Sequence, residues 1–220
     1  MPNLMKVLFN QYRLYIEKNN PYYLLHIDEE NMKTIFVMVC NLPDPWDGAE
    51  LYFKLIVKDN FPEEPPEFHS MTPNGLYEPG GRICISIGEF HKNDSPTKDG
   101  ISYGWRKCLG INGFIECGII NSLIDHEAIE ESGGIRILKT PKNGIVNFSK
   151  KSRNFNQKNF ENLYEKFETH MAEHPDLNAI KMLTHTRSGI TSEEASKIVM
   201  NSKEKTLTIE NILLELLSEL

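Results

Sequence analysis

The chain predicts an α+β fold: an N-terminal helix, a four-stranded antiparallel meander, an extended segment, and then helices. Three observations lead there. Leu4, Val7, Leu8, Tyr12 and Tyr15 recur at helical spacing over residues 4–18. Between residues 22 and 69, short β-rich runs alternate with proline-rich turns, and no helical pattern separates them. Consecutive strands joined in this way pair antiparallel, since a parallel pair needs a long crossover. Past residue 110 the apolar positions return to helical intervals.

Each element has a local cause. Asn19-Asn20-Pro21 stops the first helix. Tyr22 to Ile27 is an aromatic and aliphatic run, Thr34 to Leu42 is β-rich, and Pro43-Asp44-Pro45-Trp46-Asp47-Gly48 turns the chain into a third strand, Ala49 to Lys58. Phe61-Pro62-Glu63-Glu64-Pro65-Pro66 is barred from helix interiors and central strands, because proline fixes φ and lacks a donor. Glu67-Phe68-His69 is a brief fourth strand, and Lys92 to Tyr103 is polar and irregular. A helix is expected from about Ile111 to Asp125, and residues 131–148 read as two extended pieces around Pro141-Lys142-Asn143-Gly144. Phe160, Leu163, Tyr164, Phe167 and Met171 mark an amphipathic helix that Pro175 ends. Beyond it, Thr191-Ser192-Glu193-Glu194 matches a capping box, and Ile209 to Leu217 is leucine-rich. The division expected is a core over residues 1–174 and a helical tail over 175–220.

Composition narrows the function classes. At 220 residues one good core is possible. A net charge of -7 argues against a nucleic-acid binder. Four cysteines without paired spacing, and no secretory or membrane-spanning apolar run, suit a reducing, cytoplasmic or nuclear compartment.

The chemistry centres on Cys84, in Arg82-Ile83-Cys84-Ile85-Ser86-Ile87, ten residues after Asn74 of Thr72-Pro73-Asn74-Gly75. A thiolate is a good acyl carrier, and a carboxamide held by a proline-stiffened turn can donate to an oxyanion. Together they suggest acyl transfer through a thioester. A buried structural thiol and a backbone-bonding turn asparagine are the bland alternatives, and the second is compatible with the functional one. His91, seven residues after the thiol, is read either as a loop histidine or as a proton shuttle.

Those motifs, with Asp44-Pro45-Trp46-Asp47-Gly48-Ala49, Tyr52-Phe53-Lys54-Leu55 and Phe61-Pro62 before Pro65-Pro66, give a sequence that resembles ubiquitin-conjugating (E2) enzymes over roughly residues 5–170. The closest likeness is to the endoplasmic-reticulum-associated branch, which reads Thr-Pro-Asn where others read His-Pro-Asn. The resemblance implies a UBC-like fold and a carrier activity. Cys84 would accept ubiquitin, or a ubiquitin-like protein, from an activating (E1) enzyme, and an E3 ligase would help pass it to a protein substrate's lysine or hydroxyl. Asn74 would steady the oxyanion and Tyr77 would pack beside the loop. Phe61 and Pro62 would lie on the surface loop presented to an E3; Lys6, Arg13 and Lys18 would give the first helix a basic face for the E1, a solvated face being the default reading of such charges. Asp125, His126 and Glu127 are the candidates for the gate residue near the end of the helix expected from about Ile111. Trp105-Arg106-Lys107-Cys108 departs from the family's Ser-Pro-Ala or Asn-Pro-Ala step after the tryptophan. The competing expectation is a catalytically weak E2-like variant that holds ubiquitin or an E3.

No cofactor and no metal is expected. Cys40 lies in an apolar strand, and Cys108 and Cys117 lack zinc-site spacing. His170-Met171-Ala172-Glu173-His174 matches the H-x-x-E-H spacing. Met171 however belongs to the apolar stripe, and Pro175 follows at once, which weighs against a metal there.

Overall fold

The computed structural model describes residues 4–92, 104–174, 176–177, 179–180 and 190–201. Helix α1 (Leu4–Lys18) leads into strands β1 (Tyr23–Ile27), β2 (Thr34–Val39), β3 (Leu51–Ile56) and β4 (Glu67–Ser70). They form one antiparallel sheet in chain order. Facing registers are Leu24 with Met38, Met38 with Tyr52, and Val37 with Phe53. This is the α+β meander expected from the sequence.

Side-chain alternation sends the two faces of the sheet to different partners. Tyr23, Leu25, Val37, Val39, Leu51, Phe53 and Leu55 join the main core with Trp46, Phe114, Ile115 and Ile119. Leu24, Met38, Cys40 and Tyr52 pack instead against Phe167 and Met171. Cys40 is therefore a core residue. Helix α2 is compound: Gly110–Gly113 is α-helical, Phe114–Ile120 π-helical and Asn121–Ile124 α-helical. A short helix α3 (His126–Ser132) follows, then α4 (Lys142–Asn159) and α5 (Glu161–Glu173).

Helix α4 corrects the extended reading of residues 131–148. Its buried positions are Ile145, Ser149, Ser152 and Asn156, one helical face that is mostly polar and so invisible to hydrophobic periodicity. The polar face is occupied. Ser149 Oγ donates to Pro45 O at 2.9 Å, Glu50 N donates to Ser152 Oγ at 3.0 Å, and Asn156 Nδ2 donates to Glu50 O at 2.7 Å. The capping box at Thr191 is formed: Glu194 N donates to Thr191 Oγ1 at 3.2 Å, and Thr191 N donates to Glu194 Oε2 at 3.0 Å. Residues 192–201 are helical. Ser192 N donates to Asp47 Oδ1 at 2.8 Å, and Asp176 accepts from Asn19 at 3.0 Å, which ties the described tail residues to the core. The stretches 93–103 and 202–220, with the leucine-rich run, lie outside the described residues. Among the described residues no single helix is long and apolar enough to cross a membrane.

Candidate active site

Cys84 sits on an extended segment beside β4, held by Ile83 N donating to Phe68 O at 2.8 Å and Cys84 N donating to Ile135 O at 3.1 Å. Alternation again decides what faces where. Ile83 and Ile85 are buried, which turns the intervening Cys84 outward, where it is half-buried. Gly88 N donates to Ile85 O at 2.9 Å and starts the 3-10 turn Glu89–His91. That turn brings His91 Nε2 to 3.0 Å from Cys84 Sγ. With a neutral imidazole the thiol donates to Nε2; in the ion pair Nε2–H donates to the thiolate.

Asn74 is placed as the brace of its turn. It is fully buried; Leu76 N and Tyr77 N donate to its Oδ1 at 3.0 and 2.8 Å, and its Nδ2 donates to Ser70 Oγ and Thr72 O at 2.9 and 3.1 Å. Both amide hydrogens are thus engaged within the turn. Gly75 follows at φ +87, where a Cβ would meet Ile145 Cγ1 at 3.1 Å, so the turn requires glycine twice over. Thr72 anchors the same turn from outside: Tyr52 N donates to its Oγ1 at 2.8 Å, and Oγ1 donates to Asn156 Oδ1 at 2.6 Å. Tyr77 is fully buried and bridges to Ile137. Its hydroxyl lies near Ser122 without closing a well-formed bond, and burial above all pushes its pKa up.

Phe61 requires correction. It is only 2% exposed, its ring tilted at 43° and 6.1 Å from that of Trp105, whose Nε1 donates to Pro62 O at 2.7 Å. A large aromatic ring beside an indole gains more from burial than from exposure, so the loop shows Pro62 and Glu63 outward in place of Phe61. Lys6 and Arg13 are exposed on α1, Arg13 pairing with Glu17 at 2.7 Å. Asp125 caps α2 on the surface, where the chain bends into α3, and His126 packs edge-on against Trp46 at 6.0 Å.

Cys108 and Cys117 are exposed thiols. Among the described residues no group of three His, Cys, Asp or Glu side chains could hold a metal ion. His174 ends α5 and accepts from Leu177 N at 3.3 Å through Nδ1.

An ion-pair network went unforeseen. Glu89 binds both Lys58 and Arg82, the latter at 2.8 Å; Lys58 also reaches Glu64 at 3.3 Å, and Lys92 reaches Glu64 at 3.2 Å. Its members lie up to 34 residues apart in the chain, and no spacing in the sequence could have joined them.

A half-buried thiol beside an imidazole, with a braced Thr-Pro-Asn-Gly turn in the same α+β fold, resembles the core of the ubiquitin-conjugating (E2) family. The relatives are particular. The chain is 27% identical to Ubiquitin-conjugating enzyme E2 6 of Candida glabrata over 50% of this chain and 43% of that protein. It is 29% identical to Ubiquitin-conjugating enzyme E2 J2-like of Dictyostelium discoideum over 50% of this chain and 60% of that protein. Human Ubiquitin-conjugating enzyme E2 J2 is 40% identical over 21% of this chain and 18% of that protein. The chain thus spans less than two thirds of the length of the curated relatives it matches. No family model matches. Among solved structures, human Ubiquitin-conjugating enzyme E2 G1 aligns with a TM-score of 0.44 at 19% identity, over 54% of this chain and 93% of that chain.

Proposed function

We propose that this chain is an E2-type carrier that accepts ubiquitin, or a ubiquitin-like protein, on Cys84 and passes it to a substrate amine or hydroxyl with an E3. The observation that carries the reading is the 3.0 Å approach of Cys84 Sγ to His91 Nε2 on a half-buried surface. In charging, the Cys84 thiolate attacks the thioester carbonyl presented by the E1. A C–S bond to Cys84 forms, the E1 C–S bond breaks, and the thiol proton passes through His91 to the departing E1 thiolate, which leaves His91 neutral. In discharge, a substrate nitrogen or oxygen attacks the Cys84 thioester and gives its proton to neutral His91. The C–S bond then breaks, and the departing thiolate recovers that proton. Asn74 contributes by holding the turn beside Tyr77; an oxyanion contact from its amide would follow release of one of its two donor bonds. Asp125, exposed at the end of α2, would meet the incoming nucleophile.

A charging assay with E1, ATP and ubiquitin tests this. A slower-migrating adduct that reductant removes is expected from the native chain. Cys84→Ala abolishes it, and Cys84→Ser gives a reductant-resistant ester. Failure with ubiquitin and with a panel of ubiquitin-like proteins would leave the binding-module reading. His91→Asn should charge but discharge onto free lysine about a hundredfold more slowly.

A further inference from the structure

The 3-10 turn carrying His91 is strapped at both ends. Glu89, its first residue, has a largely buried carboxylate held between Lys58, which follows β3, and Arg82, two residues before the thiol. Arg82 is itself clamped, its guanidinium lying 5.6 Å over the Phe90 ring. At the far end Lys92 reaches Glu64, which Lys58 also binds. Lys58, just past β3, therefore serves both flanks of a three-residue turn, directly through Glu89 and by way of Glu64 to Lys92, and His91 within that turn is the side chain that meets Cys84.

We propose that Glu89 is a positioning residue: through Lys58 and Arg82 it sets the His91 ring against Cys84 and so sets the reactivity of the thiol. The inference rests on the carrier reading of Cys84, and nothing in Glu89 itself touches the sulfur. Two anchored ends leave the turn little freedom, whereas a turn released at Glu89 can swing the imidazole away by an ångström, enough to lose a hydrogen bond.

The test is the rate at which iodoacetamide alkylates Cys84 in the intact chain, followed across pH by mass spectrometry of the Cys84 peptide. Native protein should react faster at neutral pH than His91→Asn, with the midpoint of the profile displaced to lower pH. Glu89→Gln should lower the neutral-pH rate about fivefold and move the midpoint toward that of His91→Asn. The double variant should match His91→Asn alone, because Glu89 acts through His91. Arg82→Gln, which keeps the Lys58 contact, should fall between native and Glu89→Gln and decides the matter if Glu89→Gln melts too low to assay. A Glu89→Gln or Arg82→Gln profile matching the native one overturns the proposal, as does a double variant whose losses simply add. If the native chain shows the alkylation pattern but never charges, the carrier reading falls and the positioning role stands.

Discussion

Asn74 shows how one side chain can carry a turn. Its carbonyl oxygen receives two buried backbone donors and its amide gives two bonds back, so Asn74→Ala strands Leu76 N and Tyr77 N without partners. Leaving buried donors unsatisfied costs about 1–3 kcal/mol each, and urea unfolding should show a loss of about 2–6 kcal/mol in total. Charging and discharge should both weaken in proportion to the folded fraction; discharge falling further, per folded molecule, would mark a separate oxyanion role. Glu64 titrates in the opposite register from a histidine. Hydrogen bonds from Asn60, then Lys92 and Lys58, hold its carboxyl down to about 2. For Glu89, burial raises the carboxyl, yet its bonds to Lys58 and Arg82 outweigh that and lower it overall. A carboxylate with a depressed folded pKa stabilises above its unfolded value, and that stability is lost as pH falls through the folded one. Melting curves taken between about pH 5 and about pH 3 should therefore fall more steeply for the native chain than for Glu64→Gln. Equal slopes would mean the network does not contribute.

At the scale of elements, two packed pieces hold the active segment. The π-helical part of α2 presents Gly118, where a Cβ would come within 3.0 Å of Ile85 Cδ1 and of Ile87 Cδ1. Gly118→Ala should therefore press on the segment bearing Cys84 and destabilise by about 1–3 kcal/mol. Its signature would be slower Cys84 alkylation alongside the lowered melting point. Helix α4 holds the turn instead. Thr72→Val keeps the shape but removes the bond to Asn156 and the acceptor for Tyr52 N, with an expected cost of about 1–3 kcal/mol in urea. These elements explain what the sequence made legible. The apolar strands and α5 with its apolar stripe were readable, because burial and hydrophobicity coincide there. Helix α4 was not, because its buried face is serine and asparagine, and these positions are filled by hydrogen bonds to distant backbone. Phe61 was misplaced for the converse reason: its pocket is made by Trp105, 44 residues on.

Across the whole molecule the sheet is a partition. One face and its helices build the core that takes in Ile83 and Ile85, which flank Cys84, and Leu76 and Tyr77, which follow the Asn74 turn, while the other face is closed by α5. Cys84 and the turn were legible because motif spacing marked them; the contact with His91 needed the fold, and the straps on Glu89 could not be read at all. The described tail residues reach the core through Asp47 and Asn19. Asp47→Ala should raise amide exchange over residues 192–199 without changing it in the sheet, and unchanged exchange would show that this contact does not hold the tail. For the chain to act as a carrier, one sulfur among its four cysteines must take the acyl group. Intact-mass and peptide mapping after incubation with E1, ATP and ubiquitin addresses that directly. A single ubiquitin thioester on Cys84 is the result expected, and an adduct on the exposed Cys108 or Cys117, with Cys84 unmodified, would contradict it.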